Sequence, residues 1–139
     1  MATVISFDHE VEYLDTPDGR APALMVAIEN PRRPGRSMES IAYLDTGAER
    51  TLFDGEMAES LGINIFDGRK VLCSPTRGGS FGAREHEVIL SHPSIGRLRL
   101  TVYFSEEPIR RMLLGRDFFE LMQIGFRQYE QMFFLSPPE

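Results

Sequence analysis

Apolar positions in this chain recur mostly at every second residue, in short runs broken by turn-forming residues. Residues 97–104 show the cleanest alternation: Leu98, Leu100, Val102 and Phe104 stand against Arg97, Arg99, Thr101 and Tyr103. That is the pattern of a strand with one face in a core and the other in water. In residues 23–29, Leu24, Val26 and Ile28 share one face, while Met25 and Ala27 make the other face apolar too. This predicts a strand that lies centrally in its sheet. Residues 4–14 hold the β-rich Val4-Ile5-Ser6-Phe7, then polar Asp8-His9, then a stretch in which Val11 and Tyr13 alternate with acids. Further strand-like runs fall at residues 41–44, 51–53, 69–74, 85–90 and 126–135, with a basic-then-apolar run ending in Gly115.

Helical spacing is rare. Met57, Ala58 and Leu61 share a face in residues 55–61, where Asp54 can cap the start and Gly62 stop the end. Asp117 is placed to cap a second short helix at residues 118–122, with Gly125 beyond its end. Asp15-Thr16-Pro17-Asp18-Gly19 and Asp67-Gly68 are turn sequences. Residues 30–37 form a loop with three arginines, read either as a solvated connection or as a contact for an acidic substrate or partner. The most glycine-dense segment, residues 76–83, lies between strand-like sequences and reads as a hairpin tip. It lacks the Gly-Lys-Ser/Thr and the following helix of a phosphate loop. Many short strands, glycine turns and two short helices predict an all-β fold, a small closed β-barrel, with residues 1–139 as one domain.

Composition narrows the partners. A net charge of −6 argues against a nucleic-acid surface built on bulk charge. Of the fifteen basic residues only Lys70 is a lysine, a bias read as genome composition before function. Cys73 has no second cysteine to pair with and reads as a half-buried strand thiol in a reducing compartment. No run approaches the roughly 18 apolar residues of a membrane span, and the first residues lack the pattern of a signal peptide. The expectation is a cytoplasmic protein with no membrane partner. His9, His86 and His92 lack paired spacing with other ligands, so no metal site is expected.

Candidate chemistry centres on Ile41-Ala42-Tyr43-Leu44-Asp45-Thr46-Gly47-Ala48. An apolar strand runs straight into an Asp-Thr-Gly turn, which places a carboxylate at the floor of a cleft. The Thr46 hydroxyl can bond nearby backbone, and Gly47 lets another backbone or a ligand approach closely. On these residues alone the turn serves catalysis, or a binding module that cleaves nothing, or a capped turn without function.

A second stretch, Leu113-Leu114-Gly115-Arg116-Asp117-Phe118-Phe119, completes a pattern. Asp-Thr-Gly-Ala followed by Thr51, then a glycine hairpin, then Leu-Leu-Gly-Arg opening a short helix, resembles the retropepsin-like aspartic proteases, over most of residues 20–135. The resemblance implies a β-barrel-like fold in which Leu114 and Gly115 pack against the Asp45 loop. It implies Asp45, Thr46 and Gly47 as the catalytic turn. Ala48, Gly78, Gly79, Ser80 and Phe81 are implied as substrate-binding residues, the last four in a flap, although a plain flexible loop reads the hairpin as well. It implies Glu49 paired with Arg116 as structural support. Arg50 stands where viral members often carry a second acid, so no subsite preference carries over.

Hydrolysis by this route needs two carboxylates sharing a proton across one water. The chain has one Asp-Thr-Gly; Asp15-Thr16-Pro17 lacks the glycine and the preceding apolar strand. The resemblance therefore implies a homodimer with two Asp45 side chains on a two-fold axis and Thr46 bracing the loops, acting on a peptide or protein without cofactor. Family dimers commonly knit their termini into a shared sheet. Pro137 and Pro138 cannot donate to a ladder, so any terminal sheet is expected to end at about Leu135.

Overall fold

The computed structural model describes residues 1–75 and 78–137; Thr76, Arg77 and Pro138, on which expectations fell, lie outside the described residues. Strand β1 (His9–Glu12) is followed by a small hairpin, β2 (Leu14–Thr16) and β3 (Gly19–Ala21). Then come β4 (Ala23–Glu29) and β5 (Ser37–Leu44), paired antiparallel along seven residues. β6 (Leu52–Asp54) leads into α1 (Gly55–Ser60). After a 3-10 turn at Ile65–Asp67, β7 (Lys70–Cys73), β8 (Phe81–His92) and β9 (Gly96–Ser105) form a meander. β10 (Met112–Leu114), α2 (Arg116–Phe119), β11 (Gln123–Arg127) and β12 (Met132–Ser136) complete the chain.

The main sheet runs β4-β5-β10-β6-β9-β8-β7, and β4 pairs again with β8 through Ala27–Glu29. Six strands thus follow one another round a ring, with β7 hanging from β8. Inside the ring sit the alternating apolar residues: Leu24, Val26 and Ile28 from β4, Val88 and Leu90 from β8, Leu98, Val102 and Phe104 from β9, all buried. Phe53, Phe118 and Phe133 close the core. β4 is central as expected, because both its edges are paired, yet Met25 on its outer face is 44% exposed.

α1 forms where its pattern put it. Asp54 accepts from Glu56 N at 2.9 Å, Met57, Ala58 and Leu61 are buried, and Gly62 at φ +74° turns the chain away. The second helix starts earlier than expected, at Arg116 rather than Phe118, and Asp117 is inside it instead of capping it. A long-range bond fixes that start: Arg116 N donates to Ala48 O at 2.8 Å.

β1, β12 and β11 form a separate three-stranded terminal sheet within one chain. Val4 to Phe7 is not part of it. β12 ends at Ser136, whose hydroxyl accepts from Asp8 N, so residues upstream find no strand to pair with. Phe7 instead crosses the sheet to sit over Gly125 and beside Phe134. Val4 and Ile5 are exposed. No helix among the described residues is long and apolar enough to cross a membrane.

Candidate active site

Asp45 stands where β5 ends, and β10 runs parallel beside it, pairing Leu113 with Tyr43 and Leu114 with Leu44. Both strands end in apolar residues that lie over the core, so the first polar side chain after β5 emerges at the sheet's end. Three contacts shape the turn. Asp45 N donates to Leu114 O at 3.0 Å, Gly47 N donates to the Asp45 carboxylate at 2.9 Å, and Ala48 N donates to Asp45 O at 3.2 Å. The carboxylate is half-buried, while Thr46 and Gly47 are exposed. Arg116 supports the turn by donating to Thr46 O at 3.2 Å and to Gly47 O at 3.4 Å.

Gly115 is required where it stands. A Cβ there would lie 2.6 Å from Arg50 C and 2.8 Å from Ala48 O, both backbone atoms. The expected packing of Leu114 and Gly115 against the Asp45 loop is what the geometry shows, with Leu114 fully buried.

The expected Glu49–Arg116 pair is not formed. Glu49 is exposed and makes no ion pair among the described residues, and the arginine expected to meet it bonds backbone carbonyls instead. The acid–base pair falls one residue further along each segment: Arg50 Nε meets Asp117 at 3.3 Å. Asp117 also accepts from Thr51 N at 2.9 and 3.0 Å and from Thr51 Oγ1 at 2.8 Å. Thr51 Oγ1 in turn accepts from Gly115 N at 3.2 Å. Thr51 is fully buried, so this polar chain is a lock between the two motif segments. Arg50 is committed elsewhere as well: it donates to Thr101 O at 2.8 Å and lies 4.3 Å over the Tyr103 ring. Its guanidinium is 3.7 Å from Glu85, which Arg69, hydrogen-bonded to it, already holds below the usual carboxylate range.

An open groove of about 410 Å3 begins at Gly47 and Ala48. Leu52, Leu113 and Tyr103 line its barrel side, and Leu72, Cys73, Ser74, Pro75 and Phe81 of the β7–β8 hairpin line the other. Glu49, Arg50 and Arg116 stand at its margin. The size suits a peptide-like ligand. A hollow of about 540 Å3 around Arg32, Arg33 and His86 is larger but lies away from Asp45. Of the expected substrate-binding residues, Ala48 and Phe81 line the groove; Gly78, Gly79 and Ser80 sit exposed at the hairpin tip outside it. Cys73, half-buried, has its thiol pushed up by burial. His86 shares a hydrogen bond with Ile65 O at 2.7 Å, and among the described residues no cluster has the make-up of a metal site.

Sequence reading missed Asp117, Tyr103 and the hairpin residues Leu72 and Cys73. Asp117 carried a weak signal, since an acid just past Gly115 answers the buried Thr51 as readily as it caps a helix.

No protein-family model matches the chain, and no curated protein sequence matches it significantly. Solved structures do match. The chain is similar to a retropepsin-like aspartic protease from Rickettsia conorii, with a TM-score of 0.64 and 15% identity, covering 96% of this chain and 97% of that one. It is similar also to EIAV protease in complex with the inhibitor HBY-793, with a TM-score of 0.52 and 20% identity, covering 72% of this chain and 86% of that one. Backbone agreement of this extent at so little identity marks a common plan of strands and loops, and the chain therefore has the fold of the retropepsin-like aspartic proteases.

Proposed function

We propose that this chain is an aspartic endopeptidase that works as a homodimer, each copy supplying one Asp45. The observation that carries the reading is the held turn: a carboxylate at the end of two core strands, fixed by Gly47 N, with Leu114 O and the Asp117–Thr51–Gly115 lock behind it. Immobilised polar groups around a reacting carboxylate are what hydrolysis needs, because they need not reorganise as charge develops.

In the dimer one carboxylate accepts a proton from water as the oxygen attacks the scissile carbonyl carbon. The other, protonated, donates its hydrogen bond to the carbonyl oxygen and stabilises the tetrahedral intermediate. Collapse of that intermediate breaks the C–N bond, and the leaving nitrogen takes a proton from the dyad. Two carboxylates at contact distance cannot both ionise cheaply, so the pair holds one proton over a window of pH and titrates as a unit. Thr46 braces the paired turns, and no metal or organic cofactor takes part. The groove receives an extended peptide. The β7–β8 hairpin, with Leu72 70% exposed, serves as the flap that lays apolar side chains over it.

The test is cleavage of an unfolded protein between pH ~4 and ~7, where a singly protonated dyad operates. Asp45→Asn should abolish turnover while leaving peptide binding in place, and a statine-type mimic should inhibit the wild type. Cleavage that survives both would overturn the proposal. Binding that persists with no wild-type cleavage at any pH would make the chain a binding module.

A further inference from the structure

β12 has no free edge. β1 pairs along one side of it and β11 along the other, all within one chain. A partner cannot lay its own terminus beside β12 without displacing one of them, so the interleaving of chain ends implied by the family resemblance is blocked here. A shared sheet has to grow from an edge that a single chain leaves open.

The two open edges are unlike. β1 reads His9-Glu10-Val11-Glu12 with both glutamates exposed, and charge of that density guards an edge against pairing. β11 reads Gln123-Ile124-Gly125-Phe126-Arg127, with no acid, proline or lysine. Beyond β12 it pairs with no strand among the described residues. Phe126 is 44% exposed although its ring lies 6.3 Å from Phe133, and the neighbouring Leu121 and Tyr129 are exposed too. An exposed Phe126 on an edge strand without acid, proline or lysine, with exposed apolar side chains before and after the strand, marks a contact surface.

We propose that two copies join through β11, edge to edge and antiparallel about a two-fold at Gly125, so that three strands from each make one continuous sheet. This rests on the homodimer proposed above. That register uses the whole strand. Gln123 faces the partner's Arg127, and Ile124 faces the partner's Phe126. Ile124 and Phe126 share a face of the strand, so the exposed side of Phe126 is covered by the partner's Ile124. A slip of one residue sets an apolar side chain against a polar one, and a slip of two loses part of the ladder. The edge is also tied to the site. β11 follows α2 closely, and α2 opens on Arg116, whose guanidinium holds the carbonyls of Thr46 and Gly47.

The register is tested by cross-linking in a Cys73→Ser background. Gln123→Cys and Arg127→Cys chains are purified separately, mixed and oxidised. Facing residues of an antiparallel pair have Cα atoms about 4.5–5.5 Å apart, within disulfide reach. Identical positions in the two copies would stand roughly 14 Å apart, beyond it. The mixture should yield a covalent dimer of one chain of each kind, and neither variant alone should. As a second measure, Gln123→Glu should tighten dimerisation and Gln123→Lys weaken it, by roughly threefold or more each, because the partner's Arg127 is met twice per dimer. Gln123→Glu loses the Gln123 amide bond to Ser6 O whereas a lysine can still donate there, so each charge variant is compared with Gln123→Met, which loses the bond without adding charge. A wild type that dimerises and cleaves, yet whose mixed cysteine chains cross-link no better than either alone, overturns the β11 interface and leaves the protease reading standing. Shifts of the same sign in the two charge variants overturn the register. A wild type that stays monomeric at every concentration removes both proposals.

Discussion

Thr51 is a small residue with an unusual number of obligations: its hydroxyl donates to Asp117 and accepts from Gly115 N, and its backbone N–H also goes to Asp117. Thr51 and Gly115 are buried, so neither the hydroxyl nor the Gly115 N–H has water as a substitute partner. Thr51→Val keeps the shape and removes the oxygen, stranding the Gly115 N–H and one site on the Asp117 carboxylate. A buried unsatisfied group of this kind costs about 1–3 kcal/mol. We expect urea unfolding at fixed protein concentration to show that loss, and turnover to fall with it because the Asp45 loop hangs from the same lock. Thr51→Ser keeps the oxygen and should recover most of both. Stability unchanged in Thr51→Val would mean that the lock is idle. The residues of this lock also show the limit of reading the sequence. The Asp-Thr-Gly turn and Leu-Leu-Gly were legible, because apolar strands ending in glycine turns are written locally. Which of Glu49 and Arg50 faces the second segment was not. The two lie in a bend between β5 and β6, so the choice is set by how that bend docks on distant residues, through Arg116 N to Ala48 O and Asp117 N to Glu49 O, and not by a local alternation.

Among the elements, the β2–β3 hairpin is fastened by one carboxylate. Asp18, in its turn, accepts from Tyr43 OH at 3.0 Å and Arg111 Nε at 3.1 Å and pairs with Arg110; its side chain is 10% exposed. Tyr43 lies in β5 two residues before Asp45, and Arg111 immediately precedes β10, so the hairpin is pinned to both strands that carry the turn. The Arg111 hydrogen bond, helped by Tyr43 and the nearby arginine charges, holds the Asp18 carboxyl below its usual range. A carboxylate whose folded pKa lies below its unfolded one stabilises the fold above the unfolded value. That contribution disappears as pH falls through the folded value. The Tm of Asp18→Asn should therefore lie below that of the wild type near neutrality, and the gap should close as the pH drops below about 4. A gap of constant width down to strongly acid pH would assign the effect to something other than this charge. Element by element, strands that alternate over a core, such as β4 and β9, were legible from the sequence. Val4 to Phe7 was not, since β propensity says nothing about whether a partner strand remains, and β12 stops at Ser136.

For the molecule as a whole, one chain carries one Asp-Thr-Gly, a ring of six paired strands and a terminal sheet whose β11 edge stays open. On the reading proposed here it reacts only in pairs. Folding and activity should then separate in a mixing experiment. Wild type is incubated with an equal amount of Asp45→Asn long enough for subunits to exchange, and cleavage is measured at a constant amount of wild type. If each copy acted alone, the inert chain would change nothing. If the dyad is shared across a two-fold, random pairing leaves about a quarter of the dimers with two intact carboxylates, which halves the activity relative to wild type alone. Added Asp45→Asn should push the rate down further, whereas an Asp45→Asn chain carrying Gln123→Lys should inhibit less, because it pairs poorly with the wild-type edge. Inhibition that is equal for the two inert chains would leave the shared dyad in place and move the interface away from β11. A rate indifferent to either chain would return the whole reaction to one copy, where a lone Asp45 has no second carboxylate to share its proton.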